Sequence, residues 1–125
     1  YKFSGSKNLA DTAWYKSNET KTHETGDKKP NEIGLCDMSG NVYEWCNDWY
    51  QDNYYSVSPS ENPRGPESGS LRVCRGGSYY SLAASCRTSF RNFFPPDARS
   101  SILGFRVILP ASGAPKSAKE AVEEF

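Results

Sequence analysis

The sequence predicts a single small domain, rich in loops, with a few short strands and no long helix. The chain has 125 residues, of which 36 % are hydrophobic and 24 % are charged. This is enough for one modest core and too little for a multidomain enzyme. Ten Gly and eight Pro accompany eight Tyr, six Phe and three Trp. Such a composition is typical of many turns with bulky side chains packed between them.

The charge balance excludes two classes of partner. Fifteen Lys and Arg balance fifteen Asp and Glu, so the chain lacks the basic field of a nucleic-acid or membrane-surface binder. No run of about 18 apolar residues occurs, and residues 1–9 show no charged-then-apolar signal pattern. We therefore expect no nucleic-acid partner and no direct insertion of this chain into a membrane.

The first half of the chain is predicted to consist mainly of loops. Residues 16–32 contain no aliphatic residue and are expected to form a solvated loop. Residues 33–49 alternate apolar and turn residues around Gly34 and Gly40, which predicts a tight loop of the kind that binds ligands. Residues 51–71 hold three Pro and two Gly among Ser and Asn, which favours irregular backbone.

The second half is predicted to hold two strands. Residues 72–78 are expected to form a short strand that ends in a glycine turn, and residues 104–109 a buried strand closed by Pro110. The residues between them show little periodicity. The tail at 111–125 is expected to form a short helix or a frayed end without a function. Because loops dominate, we expect part of the core to lie outside this chain.

The four cysteines are Cys36, Cys46, Cys74 and Cys86. They form no CxxC pair, so a zinc site is not expected. Three disulfide connectivities are open, and the sequence does not choose among them.

Five motifs carry a resemblance to a known family. They are NEIGLCDMSGNVYEWCNDW at 31–49, NPRGP at 62–66, RVCRGGS at 72–78, CR at 86–87 and GFR at 104–106. In order and spacing they resemble the C-terminal half of the formylglycine-generating enzyme (sulfatase-modifying factor) family, over residues 1 to about 109. The resemblance implies an α+β, C-type lectin-like fold that is loop-rich, with little regular secondary structure. Residues 1–110 would then be the C-terminal portion of one domain, and the N-terminal half, absent from this chain, would be a partner.

Formylglycine synthesis is not expected. The enzymes of the family bind copper through two cysteines a few residues apart, just after the GGS turn. Here Gly77 and Ser78 are followed by the single Cys86, so the thiolate pair that holds copper is missing. The alternative is an oxidoreductase of this family that acts on a Cys-containing peptide and uses Cys74 with Cys86. His23, the only histidine, has no Cys or Asp arranged around it.

A calcium site is implied by the resemblance. Its ligands would be the side chains of Asp37 and Glu44 with the backbone oxygens of Gly40 and Val42, a set that suits a hard cation. The alternative is that Asp37 caps a turn and Glu44 pairs with an arginine.

The set of residue types that occur in the chain changes at residue 74. Residues 74–110, hereafter the restricted segment, contain no Lys, Glu, Gln, Met or Trp, although residues 1–73 contain 17 of these. None of the five has a codon ending in a pyrimidine. When the two adenines of an Asn codon are randomised, the codon can encode every residue except these five, and it never becomes a stop codon.

This pattern resembles the variable proteins of diversity-generating retroelements, in which a reverse transcriptase scrambles template adenines. The implied variable region spans about 74–107, between fixed residues such as Arg75, Arg87 and Arg106. The implied variable positions, expected to be exposed on a rigid frame, are Cys74, Tyr80, Ser81, Leu82, Ala84, Ser85, Phe90, Asn92, Phe93, Phe94, Pro95, Ala98, Ser100, Ser101 and Ile102.

The aromatic variable residues are expected to form one apolar patch that contacts a partner. Its members would be Phe90, Phe93, Phe94, Tyr80 and Ile102. The five arginines of the restricted segment could bind anions, but they are expected instead to tie loops through backbone carbonyls and Asp97.

These observations favour a non-enzymatic protein that presents a hypervariable surface to a protein or glycan ligand. The family resemblance implies display at a cell surface, through a lipid anchor in the absent N-terminal part. A purely structural module would show neither confined variation nor an exposed aromatic patch.

Overall fold

The chain folds into a small mixed sheet surrounded by long loops. The structure is a computed structural model that describes residues 2–108. Its four strands are β1 (Tyr43–Trp49), β2 (Arg72–Arg75), β3 (Asn92–Phe94) and β4 (Leu103–Gly104). In the same range, single 3₁₀ turns lie at Leu9–Asp11, Tyr54–Ser56 and Ala83–Cys86. The predicted excess of loops over regular structure is confirmed.

The strand order in the sheet is β3-β2-β1-β4. β2 pairs antiparallel with both β1 and β3, whereas β4 pairs parallel with β1. Trp45 lies opposite Cys74, and Trp49 lies opposite Arg72, with an irregular register between the two pairs. β1 therefore has two more residues than β2 between these pairs. β2, between its two neighbours, is the most buried strand.

The predicted strand at 72–78 agrees with β2, which is followed by Gly76 and Gly77 at φ values of 93° and 79°. Glycine is the residue that adopts this conformation without steric cost. At Gly77, an added Cβ would lie 2.5 Å from the Cys86 sulfur. The glycine turn therefore also lets the backbone approach Cys86 closely.

Two predictions about strands were wrong. Residues 43–49, expected within a tight loop, form the central strand β1, where Tyr43, Trp45 and Trp49 favour a pleated surface. The buried strand expected at 104–109 is confined to β4, and Phe105, Val107 and Ile108 are 77 %, 68 % and 71 % exposed. The chain leaves the ladder after Gly104, and residues 109 and 110 lie outside the described range.

The core is thin. Phe3, Leu9, Ala13 and Cys86 form one buried cluster, and Val73 and Cys74 are buried in the sheet. Among residues 2–108, no helix has the length and apolar character needed to cross a membrane. The predicted tail at 111–125 lies outside the described residues.

Candidate functional site

Three parts of the restricted segment meet at Tyr43, which is 5 % exposed at the start of β1. Its backbone amide donates to the Ile102 carbonyl at 2.7 Å, and its hydroxyl accepts from the Ser81 hydroxyl at 3.2 Å. Its ring meets the Phe94 ring edge-to-face, with the centroids 6.4 Å apart. Ser81, Phe94 and Ile102 are thus brought together although they are far apart in the sequence.

The variable positions differ widely in exposure. The exposed ones are Tyr80, Leu82, Ala84, Phe93, Pro95, Ser100 and Ser101, and the half-buried ones are Ser85, Phe90, Asn92, Phe94, Ala98 and Ile102. The expectation of exposure is wrong for Cys74 and Ser81. Cys74 is fully buried on β2, and the Ser81 hydroxyl accepts from the Ser78 amide. Both side chains support the frame.

The expected single aromatic patch is divided by the sheet. Phe93 and Phe94 are successive residues of β3 and therefore point to opposite faces. Phe94 lies against Tyr43 and Trp45, whereas Phe93 lies 4.2 Å from the ring of Tyr50. The prediction of one contiguous patch was wrong because Phe93 and Phe94 lie on a strand that the sequence did not predict, and this strand places their rings on opposite faces of the sheet.

Three of the five arginines in the restricted segment tie loops together, as expected. Arg75 donates to the Thr88 carbonyl and Arg87 to the Ala84 carbonyl. Arg106 donates to the Cys36 carbonyl and to both oxygens of Glu44. Arg91 and Arg99 show no hydrogen bond or ion pair among residues 2–108. The expected ion pair to Asp97 is likewise not among the contacts of the described residues.

The four residues implied for calcium line one cavity of about 230 Å³. Asp37 is buried, and one of its carboxylate oxygens accepts from the Gly26 amide at 2.8 Å. Its other oxygen is buried without a hydrogen-bond partner. Glu44 forms a bidentate pair with Arg106 at 2.8 Å and 2.9 Å, which agrees with the alternative raised from the sequence. No group of three or more His, Cys, Asp or Glu among residues 2–108 could hold a metal.

The thiols implied for the alternative enzyme are buried. Burial raises the pKa of Cys74 to about 12 and that of Cys86 to about 11. Both thiols are therefore protonated at neutral pH. The reactive form of cysteine is the thiolate, so neither side chain is in its reactive form. All four cysteines are free thiols in this structure.

His23 belongs to an aromatic stack that the sequence did not indicate. Its ring lies 3.9 Å from that of Trp14 and nearly parallel to it, and its Nε2 lies 2.5 Å from a Glu19 oxygen. The expectation that no Asp lies around it was wrong, because an Asp27 oxygen lies 4.0 Å from its Nδ1. The Lys28 ammonium lies 3.9 Å from the Trp14 ring. These contacts hold the charged loop at 16–32 against the body of the domain.

Tyr43 and Tyr50 contact variable positions, and Tyr55 contacts Arg91, but none of the three was predicted from the sequence as part of the site. The only signal for them was the density of aromatic residues between 43 and 55. Nothing in the sequence linked that stretch to residues 80–102.

Comparisons with known proteins place these features in a family. Residues 3–111 match the family described as "Sulfatase-modifying factor enzyme 1-like domain". The formylglycine-generating enzyme of Streptomyces coelicolor is 43 % identical over 95 residues, which cover 74 % of this chain and 30 % of that enzyme. Treponema denticola variable protein 1 is also 43 % identical, with a TM-score of 0.73 over 83 % of this chain and 39 % of that one. PvdO from Pseudomonas aeruginosa is 27 % identical, with a TM-score of 0.69 over 84 % of this chain and 43 % of that one.

The chain thus spans less than half the length of each of these three proteins. The comparisons confirm the predicted C-type lectin-like fold of the formylglycine-generating enzyme type and the resemblance to a variable protein. An enzyme and a variable protein match at the same identity, so identity alone does not separate the two functions. The chain belongs to the sulfatase-modifying factor, or formylglycine-generating enzyme, family.

Proposed function

We propose that this chain is a non-enzymatic ligand-binding protein whose restricted segment forms a surface diversified by retroelement adenine mutagenesis. The observation that carries the proposal is the meeting of residues 81, 94 and 102 at Tyr43. One anchored residue holds two loops and the end of β3, and Tyr80 and Leu82, the exposed neighbours of Ser81, can change without loss of the frame. The similarity to Treponema denticola variable protein 1 supports this function.

The decisive test is to sequence the gene and any near-duplicate of its 3′ end in many clones of the source organism. We expect substitutions confined to the exposed and half-buried variable positions, each matching an adenine in the duplicate. Uniform sequences without a duplicate would overturn the proposal.

The proposal also predicts which variable positions tolerate change. Leu82→Ser, at a side chain 63 % exposed, should alter the free energy of unfolding by no more than about 0.5 kcal/mol. The Cys74 side chain is fully buried on β2. Cys74→Ser would bury a hydroxyl in place of the thiol and should lower the free energy of unfolding by about 1 kcal/mol. Urea denaturation of both variants measures the difference. Equal losses would mean that exposure does not separate frame from variable surface.

The alternative function is an oxidoreductase that acts on a Cys-containing peptide, as in the formylglycine-generating enzymes of the family. The buried, protonated Cys74 and Cys86 speak against thiolate chemistry or copper binding. Incubation with Cu(I), oxygen and a Cys-containing peptide tests it directly, with Cys86→Ser as the control. Turnover that Cys86→Ser abolishes would establish the enzyme.

We further propose that the cavity at Asp37 binds Ca²⁺ through only two carboxylates, those of Asp37 and Glu44, with the backbone oxygens of Gly40 and Val42 as the remaining ligands. The buried Asp37 oxygen without a partner supports this, and Glu44 retains lone pairs beyond those used by Arg106. Ca²⁺ should raise the melting temperature by about 5 °C or more at saturation, because it binds only the folded chain. Asp37→Asn is the matched variant, since Asn accepts the positive φ of 56° at this position. An equal rise in Asp37→Asn, or no rise in the unmodified chain, would exclude this site.

Besides the ligand, we propose the N-terminal half of the same domain as a second partner. A cavity of about 880 Å³ is lined by the exposed Phe105, Val107 and Ile108 and by Trp45 of β1. Apolar side chains exposed in such a group usually contact another surface, and the relatives are more than twice as long as the matched part. We propose that this half also carries the lipid anchor for display at a cell surface. Co-expression of the two halves should give a complex that Val107→Glu weakens; a chain that stays alone would contradict the proposal.

A further inference from the structure

Arg91 is held differently from the arginines that tie loops. Its guanidinium carbon lies 5.2 Å from the centroid of the Tyr50 ring and 5.0 Å from that of the Tyr55 ring. Among residues 2–108 it has no hydrogen bond and no ion pair. Two aromatic rings lie beside the guanidinium group and leave its five N–H donors available. The side chain is therefore held next to two rings, and its hydrogen-bonding capacity is unused among the described residues.

The surroundings of Arg91 combine this charge with apolar surface. The Phe93 ring lies 4.2 Å from that of Tyr50, and Phe93 and Tyr55 are 41 % and 68 % exposed. The Tyr50 hydroxyl donates to Asp52 at 3.1 Å. Burial and this hydrogen bond raise the pKa of Tyr50, so its ring remains neutral beside Arg91. We call Tyr50, Tyr55, Arg91 and Phe93 the aromatic–arginine cluster.

We propose that the aromatic–arginine cluster binds a carboxylate of an acidic side chain on a protein partner. Arg91 supplies a bidentate donor pair, which matches the geometry of a carboxylate, and Phe93 and Tyr55 supply the apolar rim. Charge complementarity supports an acidic partner, because residues 74–110 carry five Arg against the single Asp97, and four of the five remain uncompensated among the described residues after Arg106 pairs with Glu44. The inference rests on the proposed function, since Phe93 is a variable position and would adjust the fit around a fixed Arg91.

A protein carboxylate fits this cluster better than an acidic glycan does. A sugar binds aromatic residues by lying on a free ring face, and the central ring of the cluster, Tyr50, is packed by both Phe93 and Arg91, which leaves the exposed Tyr55 as the main ring for such stacking. Interfaces between proteins are enriched in Tyr and Arg beside apolar residues, which is the composition found here. The acidic glycan is therefore the competing outcome in the test.

The test is an NMR titration of the ¹⁵N-labelled chain that follows the arginine Nε–H signals. The probes are a capped peptide that alternates Leu and Glu and a matched peptide that alternates Leu and Gln. The Glu peptide should shift the Arg91 signal saturably, and the Gln peptide should bind about tenfold more weakly, because it lacks the charge-assisted pair. Arg91→Lys identifies the signal and removes the bidentate fork.

Two exposed variants separate positioning from charge. Tyr55→Phe keeps the ring that contacts Arg91 and should retain the affinity, whereas Tyr55→Ala should weaken it about threefold or more. An equal shift of the Arg99 signal would indicate a general charge effect and would overturn the proposal. Tighter binding of sialyllactose than of the Glu peptide would also overturn it.

The two proposals fail in different ways. If the gene is uniform but Arg91 binds the Glu peptide selectively, the diversified function is wrong and the carboxylate site stands. If the gene varies as expected but both peptides bind alike, the carboxylate site is wrong and the diversified function stands.

Discussion

Gly40→Ala is expected to lower the free energy of unfolding by about 3 kcal/mol, through backbone strain and overpacking together. Gly40 has a φ of 79°, which disfavours any side chain. A Cβ at this position would lie 2.3 Å from the Trp14 carbonyl oxygen and 2.9 Å from the Trp14 nitrogen. These are backbone atoms that cannot rotate away, and the same carbonyl accepts from the Asn41 amide at 2.8 Å. Urea denaturation followed by tryptophan fluorescence measures the loss.

Gly34→Ala is the matched control for this variant. Gly34 has a similar φ of 81°, but no atom lies within 4 Å of the position that a Cβ would take there. It should therefore show the conformational cost alone, about 1 kcal/mol. The difference between the two variants measures the contact with Trp14. Equal losses would show that the close approach at Gly40 contributes nothing to stability.

Arg106→Ala is expected to cost about 2 to 3 kcal/mol. The Arg106 and Glu44 side chains are 29 % and 23 % exposed, so the pair lies between a surface ion pair and a fully buried one. The substitution removes the contacts to Glu44 and to the Cys36 carbonyl and leaves a partly buried carboxylate unpaired. Hydrogen bonding to Glu44 raises the pKa of Arg106, so the guanidinium stays charged over the usable pH range. Thermal and urea unfolding measure the loss.

Arg64→Ala controls for the removal of one positive charge. Arg64 is exposed, and no hydrogen bond or ion pair joins it to other described residues. Its loss should change stability by no more than about 0.5 kcal/mol. Arg106→Lys should fall between the two variants because lysine keeps the charge but not the fork. A loss in Arg106→Ala as small as that in Arg64→Ala would contradict a structural role for the pair.

Features set by neighbouring residues could be predicted from the sequence. The turn at Gly76 and Gly77 follows directly from glycine's freedom to adopt a positive φ. The irregular backbone at 51–71 follows from its Pro and Gly content, and only the 3₁₀ turn at Tyr54–Ser56 interrupts it. In each case the relevant interactions lie within a few residues of the chain.

Features set by distant residues could not be predicted in this way. β1 was missed because its partners begin at Arg72 and Leu103, and no local pattern in 43–49 specifies them. The same limit applies to the arginines, since residue type and charge do not predict the different contacts of Arg75 and Arg91. One binds the Thr88 carbonyl and the other lies against two tyrosine rings.

The order of the motifs was sufficient to identify the family and its fold, and the missing residue types marked the segment for which diversification is proposed. Only the tertiary structure decided which of those positions are surface and which are frame. Cys74 and Ser81 fit the restricted alphabet as well as Tyr80 and Leu82 do, yet the first two are buried and the last two exposed. The reason is physical: composition is a property of each residue, whereas burial depends on which distant strands and loops pack against it.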